Sequence, residues 1–274
     1  MFKKYVDNTR LKTPLVHNIT NYVTVNDCAN MLLACGASPI MADDAGEVEE
    51  ITSICNALVI NIGTLNERTV KSMLLAGRKA NELGHPVVLD PVGAGASSLR
   101  TSTTFQLLKE VKFSVIRGNI SEIKTVALGS GTTKGVDADV SDTVTEENLG
   151  EAIAFAQGLS RKTGAVIAIT GAIDIVADAG RAYVIRNGHA LMSKITGTGC
   201  MLTTVIAAYC AANPEDMTSA TAAAVSAMGF CGEAAYEKLQ KEKGGTSSYR
   251  AYIIDFMSNL DGETLQGGLK VESR

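Results

Sequence analysis

The residues best suited to chemistry lie in Lys194-Ile-Thr-Gly-Thr-Gly-Cys-Met-Leu-Thr203, which opens a long uncharged, Ala-rich segment. Gly197 and Gly199 flank Thr198, and an apolar helical run begins at Cys200. Glycines let backbone N–H groups turn inward, and a helix start leaves about four N–H groups free with a partial positive charge. Together they make a pocket for a phosphate or a developing oxyanion. The reactive side chain at that spot is Cys200, whose thiolate the helix start is expected to favour.

Three further clusters follow apolar runs. Asp90-Pro-Val-Gly-Ala-Gly95 ends Val87-Val-Leu, Arg117-Gly-Asn-Ile-Ser-Glu122 ends another run, and Thr170-Gly171 closes a third. Ligands of open α/β sheets bind at the carboxyl ends of strands, which is where all of these fall. Asp90 and Glu122 form a natural pair for a divalent cation, directly or through water. Equally, Asp90 suits a turn before Pro91, and Glu122 a first helical turn. Arg117 directly after an apolar strand needs a partner, and its planar fork suits phosphate. Thr170 could hydrogen-bond a phosphate or cap a turn.

Short β-branched runs alternate with helical patterns. Strands are expected at Leu15–Thr20, Pro39–Met41, Ala57–Ile62, Pro86–Asp90, Ser114–Arg117 and Ala165–Thr170. Helices are expected near 22–35, 45–55, 66–83, 98–110, 119–128 and 146–162. This alternation predicts an α/β fold, a mainly parallel sheet with helices on both faces. Ile173–Ala177 and Arg181–Arg186 read as a hairpin edge. After Cys200 the reading is all helix, at 200–212, 215–243 and 246–260, with no strand. Gly129–Asn148, rich in Gly, Thr and Asp, reads as a mobile surface loop. No linker or repeat divides the chain, so residues 1–274 read as a single domain.

Composition narrows the function classes. With 46% hydrophobic residues, 5% aromatics and no Trp, the core must be built from small and β-branched side chains. A net charge of −4 with interspersed signs leaves no footprint for nucleic acid. The six cysteines show no C-x-x-C pair and no zinc-like spacing to His. His17, His85 and His189 assemble no triad and read as structural. The amino terminus lacks a secretory apolar region, so a reducing cytoplasm is expected. Residues 195–214 carry no charge, but Gly197, Gly199 and Asn213-Pro214 leave a helix too short for a bilayer, so no membrane contact is expected. A Gly-x-Gly-x-x-Gly fingerprint is missing after the first strand, and no Gly-Lys-[Ser/Thr] motif occurs.

Read together, Asp-Pro-Val-Gly-Ala-Gly (90–95), Arg-Gly-Asn-x-x-Glu (117–122), Ile-Thr-Gly (169–171) and Thr-Gly-Thr-Gly-Cys (196–200) resemble hydroxyethylthiazole kinase, of the ribokinase-like superfamily. Pro-Leu-Val-His-Asn-Ile-Thr-Asn (14–21) and Gly-Ala-Ser-Pro-Ile-Met (36–41) match as well. The resemblance implies a three-layer ribokinase-like fold without a separate lid domain. It implies ATP-dependent phosphorylation of 4-methyl-5-(2-hydroxyethyl)thiazole with Mg2+, in thiamine biosynthesis or salvage. It assigns Arg117, Thr170 and Asn119 to ATP, and Gly197, Met41, Asn21 and Val23 to the thiazole. Asp90 and Glu122 go to magnesium, and Cys200 to catalysis. A cytoplasmic homotrimer with the thiazole site between subunits is also implied. Sugar and pyrimidine kinases of this fold place Asp where Cys200 stands, as base toward the attacking hydroxyl. Cys200 is then either a weaker base or a residue that fills space beside the substrate. A hydroxymethylpyrimidine kinase is the competing reading, against which stand Cys200 and the match around Met41.

Overall fold

Short runs of three to five residues, most of them apolar and too short for helices, form the sheet that carries the molecule. The computed structural model describes residues 1–129 and 143–274. Its strands are β1 (Leu15–Ile19), β2 (Ser38–Ile40), β3 (Ala57–Asn61), β4 (Val87–Asp90), β5 (Val115–Gly118), β6 (Val166–Ile169), β7 (Asp174–Ala177), β8 (Ala182–Ile185) and β9 (Val271–Ser273). They make one nine-stranded sheet in the order β2-β1-β3-β4-β5-β6-β7-β8-β9. Pairing is parallel from β2 to β6 and antiparallel from β6 to β9.

The strands are apolar on both faces because helices cover both. In β3, Ala57 and Val59 join one buried cluster while Leu58 and Ile60 join the other. The first cluster takes side chains from α1 (Lys3–Lys12), α2 (Val25–Ala34), α8 (Thr198–Ala212), α9 (Met217–Glu242), α10 (Thr246–Asn259) and α11 (Gly262–Gly268). The second takes them from α3 (Val48–Ile54), α4 (Glu67–Leu83), α5 (Ser98–Glu110), α6 (Ile120–Gly129) and α7 (Leu149–Thr163). Continuous hydrophobic runs are what two-sided burial of a parallel sheet requires.

α8 is buried over nearly its whole surface, with every residue from Met201 to Cys210 inside. At 15 residues it spans about 22 Å, short of the ~30 Å of a bilayer core. Among the described residues, no helix is long and apolar enough to cross a membrane.

Two expectations need correction. A strand does follow Cys200: β9 pairs antiparallel with β8, Val184 opposite Glu272. It has three residues, half-exposed or exposed, so backbone pairing forms it and no apolar alternation marks it. Helices α1 and α11 were likewise not expected. α1 buries only Tyr5, Val6 and Thr9 among charged neighbours, which blurs its periodicity. Of the expected loop at Gly129–Asn148, Gly129 closes α6 and residues 130–142 lie outside the described residues.

Candidate active site

The carboxyl ends of β3, β4, β5 and β6 set side by side Asn61, Asp90, Arg117 and, one residue past β6, Thr170. Register fixes the first pair, because Asn61 and Asp90 are direct partners across β3 and β4. Asp90 is fully buried. Its Oδ2 accepts from Asn61 Nδ2 at 2.9 Å and from Thr203 Oγ1 at 2.8 Å. Its Oδ1 faces Arg117 Nη1 at 3.5 Å. Burial raises the Asp90 carboxyl above its ordinary range, and the Arg117 charge partly offsets this.

Arg117 therefore has protein partners, where the sequence alone suggested phosphate. Its Nη2 donates to Thr170 Oγ1 at 2.6 Å, and its Nε is buried without a partner. Arg117, Asn119 and Thr170 line one cavity of about 560 Å³. Thr198 and Gly199 at the α8 turn line it as well, together with the apolar Leu202, Val225 and Met228. A lining of this mixed kind can receive a ligand with both charged and apolar parts.

Glu122 makes the helix cap that its position allowed. Its Oε2 accepts from the Asn119 backbone N–H at 2.8 Å, and Asn119 Oδ1 accepts from the Glu122 N–H at 2.8 Å, a capping box opening α6. Its Oε1 accepts from the Gly93 N–H at 2.8 Å, tying the loop after β4 to α6. The charge of Glu122 also raises the Asp90 carboxyl. Among the described residues, no three His, Cys, Asp or Glu side chains gather as a metal site.

On the other side of the α8 turn lies a second polar cluster. Gly197 is the N-cap of α8 at φ 89°, in the left-handed region that glycine occupies freely. A Cβ there would meet Thr24 Cγ2 at 2.5 Å. The first helical bond runs from the Met201 N–H to the Gly197 carbonyl at 2.8 Å, so the N–H groups of Thr198, Gly199 and Cys200 have no partner within the helix. Cys200 Sγ accepts from Asn21 Nδ2 at 3.2 Å and Asn61 Nδ2 at 3.3 Å. Asn21 is buried, and its Oδ1 accepts from the backbone N–H and the hydroxyl of Thr24 at 3.1 Å each.

The thiolate expected at Cys200 is overturned. Burial, and then the charge of Asp90, push the thiol above its ordinary range, although hydrogen bonds from Thr24, Asn61 and Asn21 partly oppose this. Val23 lies on the loop between β1 and α2 and is 56% exposed. Met41 follows β2, the strand beside β1, and is half-buried. These two bring apolar surface to the sheet edge beside Asn21 without joining the polar cluster.

The sequence reading missed Asn61, Thr203, Thr24 and Asp174. Asn61 ends its apolar strand just as Asp90 ends the next, and that parallel was the available signal. Thr203 lies one helical turn beyond Gly199, whose carbonyl accepts its hydroxyl at 3.1 Å. Asp174 lines the cavity, and its Oδ1 accepts from the Gly171 N–H at 2.8 Å. Burial raises its carboxyl to about 7. The structural reading of His17 holds, with Nδ1 and Nε2 each 2.9 Å from a partner, Thr52 Oγ1 and the Ala42 carbonyl. His189 stacks on Tyr236 with ring centroids 3.6 Å apart and also lines the cavity. All the cysteines but Cys200 are buried free thiols.

Comparison with known proteins extends this picture. The profile of the Hydroxyethylthiazole kinase family matches residues 6–263. A hydroxyethylthiazole kinase of Clostridium acetobutylicum is 65% identical over 273 residues, covering 100% of both chains. The solved structure of a hydroxyethylthiazole kinase protein from Pyrococcus horikoshii OT3 superposes with a TM-score of 0.89 at 35% identity, over 100% of this chain and 98% of that one. A ribokinase-like superfamily protein from Enterococcus faecalis V583 shares the fold at 13% identity, with a TM-score of 0.60 over 94% of this chain and 90% of that one. The three-layer arrangement of sheet and helices is ribokinase-like.

Proposed function

The chain belongs to the hydroxyethylthiazole kinase family, and on that premise we propose that it transfers the terminal phosphoryl group of ATP to the hydroxyl of 4-methyl-5-(2-hydroxyethyl)thiazole, supplying thiazole phosphate for thiamine biosynthesis or salvage. The observation that carries the site assignment is the α8 turn itself. Thr198 and Gly199 wall the cavity that suits a nucleotide, while the next residue, Cys200, faces the Asn21–Asn61 cluster. Donor and acceptor meet across one helix start.

In this reading Arg117, Thr170 and Asn119 hold the phosphates, and the free amides of Thr198, Gly199 and Cys200 receive the transferring group. The alcohol sits beside Gly197 and Asn21, its thiazole ring on the apolar surface of Met41 and Val23. The alcohol oxygen forms the new P–O bond as the bond from the terminal phosphorus to ADP breaks, and the alcohol's proton passes to an oxygen of the transferred phosphoryl group. Cys200 accepts the alcohol's hydrogen bond and aims its oxygen. Positioning and charge neutralisation dominate such a loose transition state, which a thiol in place of a carboxylate tolerates.

Asp90 and Glu122 fit magnesium held through water. Each oxygen of Glu122 already takes a backbone N–H, and a nearby cation would favour the charged form of Asp90 against the burial and the Glu122 charge that oppose it. Magnesium at that place would neutralise charge on the phosphates.

The assembly in this proposal is a cytoplasmic homotrimer of single-domain subunits without a separate lid. Tyr22 is 79% exposed and Val23 56% exposed on the loop that carries Asn21, which supports a thiazole pocket completed by a second copy. No role for nucleic acid or membrane enters.

The test is coupled ADP release with the thiazole alcohol, hydroxymethylpyrimidine and pyridoxal as acceptors, with magnesium and with chelator. Turnover requiring both thiazole alcohol and magnesium is expected. Pyrimidine-selective or acceptor-independent turnover would refute the assignment.

A further inference from the structure

Asn61 is a buried side chain with every hydrogen-bonding position in use. Its Nδ2 donates to Asp90 Oδ2 at 2.9 Å and to Cys200 Sγ at 3.3 Å. Its Oδ1 accepts from Asn21 Nδ2 at 3.1 Å and from the Gly63 backbone N–H at 2.9 Å. The amide has one orientation, because an N–H at Gly63 can only donate and a carboxylate at Asp90 only accepts. Asn21 is pinned in the same way, its Oδ1 taken by Thr24 and its Nδ2 shared between Asn61 and Cys200. The sulfur thus receives an N–H from each of two amides, Asn61 at the end of β3 and Asn21 on the loop after β1, each held by its remaining hydrogen bonds. Thr203, one turn further along α8, is bonded to the same Asp90 oxygen as Asn61.

We propose that Asn61 is a positioning residue for the transfer, setting the Cys200 sulfur relative to Asp90 so that the thiol meets the acceptor hydroxyl in one place. The inference rests on the site reading above and deepens it. Asn61 acts through Cys200 and is not a catalytic residue itself. Removing its amide frees the sulfur to swing on the first turn of α8, with ATP still held by Arg117, Thr170 and Asn119 on the far side of the turn. The expected loss is therefore in kcat, with little change in the KM for ATP.

A double-mutant cycle tests this. Asn61→Ala should lower kcat for the thiazole alcohol at least tenfold or so, with the KM for ATP within roughly twofold of wild type. In a Cys200→Ala background the same substitution should cost less than about threefold, because residues acting as one unit are non-additive. A full tenfold cost in both backgrounds, or an unchanged kcat in Asn61→Ala, overturns the proposal. If Asn61→Ala folds poorly, Asn61→Ser, which keeps one donor, takes its place in the cycle under the same criteria. Wild-type kcat in Cys200→Ala alone would overturn the underlying placement of the sulfur as well, a result distinct from additivity.

Discussion

The guanidinium of Arg117 lies against the backbone of Gly199, so close that a Cβ at 199 would stand 2.6 Å from Nη1 and 2.8 Å from Nη2. Gly199 does not hold a positive φ, so what a side chain here would disturb is the placement of the guanidinium and not the backbone conformation. The turn that starts α8 and the arginine that ends β5 are built as one surface.

Gly199→Ala should therefore displace the guanidinium without unfolding the chain. We expect kcat/KM for ATP to fall roughly 10- to 100-fold, the effect of losing one charge-assisted contact. Adding Arg117→Ala to this variant should lower it little further. Full activity in Gly199→Ala would show that the turn and the arginine are independent.

Arg117→Ala should lower kcat/KM for ATP by a similar roughly 10- to 100-fold, from about 1.5–3 kcal/mol per charge-assisted hydrogen bond. It should also lower the melting temperature, because Arg117 is the counter-charge 3.5 Å from the fully buried Asp90. From the sequence alone, phosphate was the expected partner. Adding Asp90→Asn should restore part of the stability and none of the activity. A melting temperature unchanged in Arg117→Ala would place the function of Arg117 wholly on the ligand.

Asp174 supplies a pH signature. Its carboxyl, raised from 3.8 to about 7 by burial, holds its proton in the folded chain over a range where the unfolded chain has lost it. Stability from this group is therefore lost as pH rises from about 4 to about 7 and levels off above. Asp174→Asn keeps a carbonyl oxygen for the Gly171 N–H but has no such loss. Its melting temperature relative to wild type should climb between pH 4 and 7 and then hold. A difference independent of pH would contradict the raised carboxyl.

The sequence made much of this legible because two-sided burial leaves a plain mark. Strands such as Ala57–Asn61 and Val87–Asp90 are apolar throughout until their last residue, so polar residues at strand ends stood out. Asp90, Arg117 and Thr170 stood out in that way, and the Gly197–Cys200 turn by its paired glycines before an apolar helix. Contacts that depend on register or on a distant helix were not legible. Nothing in the local pattern tells that Asn61 sits opposite Asp90 or that Thr203 reaches it from α8. The protonation of Cys200 was misjudged for the same reason. The helix start is visible in sequence, while the burial and the neighbouring carboxylate that oppose it come from folding. Short edge pieces such as Val271–Ser273 carry no apolar pattern to read.

The central claim is that phosphoryl transfer takes place at the Cys200 turn, with the sulfur at the place where an aspartate would act as base. The most direct measurement is kcat for the thiazole alcohol in wild type, Cys200→Ala and Cys200→Asp, each under saturating ATP. A carboxylate at 200 can take the same N–H groups from Asn21 and Asn61 and accept the proton outright, so Cys200→Asp should equal or exceed wild type. Cys200→Ala should be slower but active, since Arg117 and the helix start still stabilise the transferring group. A Cys200→Asp enzyme as slow as Cys200→Ala would contradict the account.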